Sequence, residues 1–117
     1  MASAGRERFE ELVGEALDSL SPWVQERMDN VMVTVEDRPP ADQRTLLGLY
    51  HGVPLVNRGI HYSNVLPDTI TLYRSTIEAV AGADDDALRR QIAKTVAHEL
   101  AHHFGISDER LLEIDAY

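Results

Sequence analysis

Asp84-Asp85-Asp86-Ala87-Leu88-Arg89-Arg90-Gln91-Ile92-Ala93-Lys94-Thr95-Val96-Ala97-His98-Glu99-Leu100-Ala101-His102-His103-Phe104-Gly105 is the stretch that organises the rest of the chain. Leu88, Ile92, Val96, Leu100 and Phe104 recur at every fourth position, which predicts one helix with a core-facing ridge. The acidic run at its start opposes the positive end of the helix dipole, so it reads as an N-cap rather than a metal site. Gly105 can take the left-handed conformation that ends a helix.

Within this helix lies His98-Glu99-Leu100-Ala101-His102, an H-E-x-x-H arrangement. At roughly 100° per residue, positions four apart lie about 40° apart around the axis and one turn along it. Two imidazoles so placed can reach one cation, while Glu99 on the next stripe can take a proton without ligating. The ridge holds the fold, and the other side of the helix presents the ligands. The pattern continues through Gly105 to Asp108, and a sharp turn at Gly105 lets Asp108 swing back toward the same ion. His98, His102 and Asp108 would leave a fourth tetrahedral position for water, the open arrangement of catalytic zinc. Asp108 just before a short helix could instead be an ordinary N-cap, but Ser107 can supply that cap and free Asp108 to ligate, with Glu109 and Glu113 as reserve third ligands.

Working outward, Phe9, Leu12, Val13, Ala16, Leu17 and Leu20 mark an amphipathic helix over residues 6–20. Ser21-Pro22 has the signature of an N-cap followed by proline at the first helical position, opening a short helix with Trp23, Val24 and Met28. Val31, Val33 and Val35 alternate with polar or flexible positions and predict a strand. Residues 45–51 predict a second strand despite Gly48, residues 52–68 a long excursion, and residues 69–73 a third strand. Ser75-Thr76-Ile77-Glu78 has capping-box spacing, so a short helix should follow and stop at Gly82. A last helix over residues 108–116 closes the chain. The sum is one α+β domain over residues 1–117, a small mixed sheet of about three strands packed on an N-terminal helix and a long active-site helix.

Composition narrows the partners. With 44% apolar residues the chain can build a core, and without cysteine any metal must use nitrogen and oxygen ligands. A net charge of −9 with scattered basic residues disfavours nucleic acid. No apolar run approaches a membrane span, and residues 1–10 lack the apolar segment of a signal peptide, so no membrane association and a cytoplasmic location are expected.

The extended motif resembles the metzincin pattern with aspartate in the place of the third histidine. Leu46-Leu47-Gly48-Leu49-Tyr50-His51-Gly52-Val53-Pro54-Leu55 and Leu66-Pro67-Asp68-Thr69-Ile70-Thr71-Leu72-Tyr73-Arg74 add to it. Over nearly its full length the chain is similar to the small bacterial zincin-like metallopeptidases, zinc proteases with a matrix-metalloprotease-like domain. The resemblance implies a minimal zincin fold and peptidase activity on a peptide or protein substrate. All three methionines precede the motif and nine residues follow Asp108, so neither a Met-turn nor a C-terminal subdomain is expected, and specificity should be narrow.

On this reading Zn2+ activates water, Glu99 is the base, and residues 69–73, if they border the cleft, bind an extended peptide by strand addition. Two other readings stand beside it: a zinc hydrolase acting on a non-peptide amide or one regulatory protein, and a non-catalytic zinc module. An intact Glu99 argues against the module, which has no use for a base. His103 lies on the ridge side and reads as a packed histidine, and His51 and His61 are left out of the site. Tyr62 and Tyr73 are candidates to stabilise an oxyanion, though a strand tyrosine is more often packing, and Trp23 reads as core.

Overall fold

The long helix forms where the spacing places it. Asp84 is its N-cap, accepting a hydrogen bond from the Ala87 amide at 2.9 Å, and Gly105 turns away at φ 72°. The computed structural model describes residues 4–52, 67–106 and 109–110. Their elements are α1 (Ala4–Asp18), α2 (Pro22–Arg27), β1 (Val31–Glu36), β2 (Gly48–His51), β3 (Asp68–Tyr73), α3 (Arg74–Ala81) and α4 (Asp85–His103). This is the expected α+β arrangement. The expected excursion over 52–68 and the closing helix over 108–116 lie largely outside the described residues. No helix among the described residues is long and apolar enough to cross a membrane.

The sheet order is β1-β3-β2, with β1 parallel and β2 antiparallel to β3. Register puts Val31, Val33 and Val35 on the same face as Ile70 and Leu72, and that face packs into the common core. Leu88, Ile92, Val96 and Leu100 of α4 meet Phe9, Leu12, Val13 and Ala16 of α1 in the same core. Arg8 pairs with Asp85 and Glu15 with Arg89, so two ion pairs join the exposed face of α1 to the start of α4, and Arg89 also pairs with Asp86 within α4. Such exposed pairs add little stability beside the buried apolar ridge.

Several local expectations change. The second strand is shorter, beginning at Gly48, because residues 45–47 turn and only Leu47 reaches β3, accepting from the Tyr73 amide at 2.9 Å. No capping box forms at Ser75. Helix α3 starts at Arg74 with Tyr73 as an N-cap that makes no side-chain cap bond. The Ser75 amide donates to the Asp37 carbonyl, and Glu78 pairs with Arg74 at 3.0 Å rather than reaching back to a cap. Phe104 leaves the ridge: it is the C-cap residue and 50% exposed. Trp23 sits at the core margin, half-buried, with the Arg27 guanidinium 4.0 Å above its ring.

Gly48 sets how closely β2 approaches α4. A Cβ there would stand 2.9 Å from the Thr95 methyl and 3.1 Å from the Thr71 carbonyl oxygen. Thr95 is buried, and its hydroxyl donates to the Gln91 carbonyl at 2.8 Å, so its methyl cannot swing aside freely. Gly48→Ala should therefore cost about 1–3 kcal/mol of stability in urea unfolding, the usual penalty of overpacking. The double variant with Thr95→Ser should recover part of that loss. Full stability in Gly48→Ala alone would mean that the approach is not tight.

Candidate active site

The ridge of α4 turns the opposite stripe outward at its C-terminal end. His98 and Glu99 are half-buried there and His102 is exposed. The His98 and His102 rings stand edge to face, their centroids 5.0 Å apart and their planes at 70°. The separation can be tested against a shared ion. At a Zn–N distance of about 2.0–2.1 Å a ring centre lies about 3.2 Å from the metal, so two rings on one tetrahedral zinc sit roughly 5 Å apart. The imidazole pair fits. Among the described residues no group of three histidine, aspartate or glutamate side chains is arranged to hold a metal. The proposed third ligand, Asp108, lies outside the described residues, as do its reserve Glu113 and the loop residues His61 and Tyr62. Glu109 is described and exposed.

Glu99 has a defined environment. Its Oε1 accepts a hydrogen bond from the Tyr50 amide at 3.2 Å. Burial pushes its carboxyl above the ordinary glutamate range, while His102, the Tyr50 N–H and His98 pull the other way. A half-buried carboxylate is a stronger base than a solvated one, which suits it to taking a proton from water.

Tyr50 itself is held at both ends. Its hydroxyl donates to Asp68 Oδ2 at 2.6 Å. Its ring stacks on His103, with centroids 4.1 Å apart and planes at 15°. The expected packed His103 is thus exposed and lies flat against Tyr50, because the last turn of α4 runs beside the edge strand rather than over the core. Tyr73 is buried, 5% exposed. Burial raises its phenol pKa, and the carboxylates of Glu36 and Glu99 add to that effect. His51 ends β2 and is exposed.

Strand order corrects one expectation. Residues 69–73 belong to the central strand, bonded on both sides, so β3 offers no free edge to a peptide. Among the described residues the edge beside Glu99 is β2. Its Leu47 carbonyl and, by register, Leu49 and His51 face β3, which turns the N–H and C=O groups of Gly48 and Tyr50 outward. Next to this edge is a cavity of about 400 Å³, walled by Leu46, Leu47, Val80 and Thr95 and ending at His98 and Glu99. Val80 is 63% exposed on its rim. On α4 the lining positions 91, 94, 95, 98 and 99 form one helical stripe leading to the motif.

Neither the edge strand nor the cavity was read from the sequence as part of the site. The available signal was Gly48, since glycine inside a strand pattern often marks a close backbone approach. A family model described as zincin-like metallopeptidase matches residues 28–117, which include the three strands and every position of the extended motif. No curated protein matches the chain.

Proposed function

The chain belongs to the zincin-like metallopeptidase family and has the α+β fold of a minimal zincin, and from that premise we propose that it is a zinc-dependent peptidase with Glu99 as its base. The observation that carries the reading is the half-buried Glu99 carboxylate lying between a zinc-compatible imidazole pair and β2, the outer strand of the sheet among the described residues. His98 and His102 would hold zinc as neutral imidazoles, with Asp108 as the third ligand. When bound, zinc would supply Lewis acidity toward the scissile carbonyl and the attacking water.

The chain's own groups do the rest. Glu99 takes a proton from the attacking water and delivers it to the leaving amine nitrogen. The outward groups of Gly48 and Tyr50 pair with an extended peptide, which brings the scissile bond beside α4. The cavity next to Glu99 takes an apolar side chain close to that bond, because its walls are Leu46, Leu47 and Val80. Peptide substrates are favoured over other amides by this edge: only a strand-like backbone uses both outward residues of β2.

The test is cleavage of an end-capped peptide library by zinc-supplemented protein. Cleavage should favour aliphatic residues next to the scissile bond, stop with a chelator and return with added zinc. Zinc binding without turnover of any peptide would point to the non-catalytic module instead.

A further inference from the structure

A β-strand offers one N–H per residue, and only alternate residues aim it at an edge. On the four-residue strand β2 the outward amides are those of Gly48 and Tyr50. The Tyr50 amide is already engaged, donating to Glu99 Oε1 at 3.2 Å. A peptide adding to this edge needs that same donor. We propose that the Tyr50 amide is a positioning group for Glu99: it parks the carboxylate before substrate docks, and an incoming substrate strand takes the amide and frees the carboxylate. The inference rests on the strand-addition reading above and adds a coupling between docking and release of the base.

Geometry decides which partner must move. The Tyr50 amide is fixed by strand pairing with β3, by the 2.6 Å bond from its hydroxyl to Asp68, and by the ring stacked 4.1 Å from His103. Gly48, tight against Thr95, holds the same strand two residues earlier. Glu99 is attached to a rigid helix by a side chain with rotatable torsions, so the carboxylate swings and the strand stays. The exchange also conserves hydrogen bonds. A substrate carbonyl replaces the carboxylate on the Tyr50 N–H, and the released carboxylate accepts from the attacking water. Substrates too short to reach Tyr50 leave the base parked.

Amide hydrogen exchange and peptide affinity test this together, with and without added zinc. Without peptide, the Tyr50 amide should be protected in the wild type and lose protection in Glu99→Ala, with Glu99→Gln between them because its neutral oxygen is a weaker acceptor. The peptide probe is an end-capped, uncharged library peptide with its scissile amide replaced by a trans-alkene isostere, which is neutral and cannot be hydrolysed. It should bind Glu99→Ala about tenfold more tightly than wild type, the worth of one charge-assisted hydrogen bond that no longer competes. A merely structural role for Glu99 would leave affinity unchanged or weaken it. Equal Tyr50 exchange in wild type and Glu99→Ala overturns the proposal whatever the peptide does. Failure of the peptide to protect the Gly48 and Tyr50 amides in Glu99→Ala, where the carboxylate no longer competes, overturns strand docking and with it the coupling.

Discussion

Glu99→Gln is expected to bind zinc at the wild-type stoichiometry and lose about 10²–10⁴-fold in peptide turnover, the usual range for a general acid–base group. The amide has nearly the shape of the carboxylate and can still accept from the Tyr50 N–H, so the edge strand and the helix should stay in place. What it cannot do is hold the proton between attack and departure of the amine. The pH profile gives an independent sign. Burial raises the Glu99 carboxyl, so its basic form is lost, as pH falls, earlier than for a solvated glutamate. The acid limb of kcat/KM in the wild type should report that loss and be absent from the residual activity of Glu99→Gln. A variant that keeps wild-type turnover would falsify the assignment of Glu99 as the base.

Removing a ligand should have the larger effect on the metal. The wild type is expected to carry about one zinc per chain, as a single three-ligand site requires. His98→Ala and His102→Ala should each weaken binding by well over ~100-fold, since even supporting residues behind a ligand are worth 10–100-fold. Metal analysis after dialysis against a competing chelator makes the comparison. Asp108→Ala should fall in the same class, while Asp108→His should keep zinc because imidazole reaches a similar distance. If Asp108→Ala retains wild-type affinity, the third ligand lies elsewhere, and the exposed Glu109 is the first alternative. Full occupancy in His98→Ala or His102→Ala removes the imidazole pair from the site altogether.

The long helix was legible because independent signals agree on it: a ridge at every fourth residue, an aspartate cap and a terminal glycine. Strand β1 and the core of β3 were legible from alternation. Strand order was not, since it depends on pairing between distant segments, and so residues 69–73, expected to take a peptide if they bordered the cleft, prove to be the central strand. Phe104 misled because periodicity does not say where a helix outruns its core. At the site, His98, Glu99 and His102 announce themselves by residue type. The contact that orients Glu99 does not, because its donor is a backbone amide that any residue but proline would carry.

One helix supplies both the central pillar of the core and the side chains proposed to do the chemistry, and this divides what selection could alter. Changes along Leu88, Ile92, Val96 and Leu100 would be penalised through folding before any change in chemistry was felt. The segments that wall the cavity, residues 45–47 and the rim at Val80, are partly or largely exposed and carry no motif residue. They are the inexpensive positions at which such a protein could drift toward new sequence preferences. On the proposed function the architecture is modular within a single small domain, with the reaction fixed on the pillar and an adjustable selectivity filter beside it.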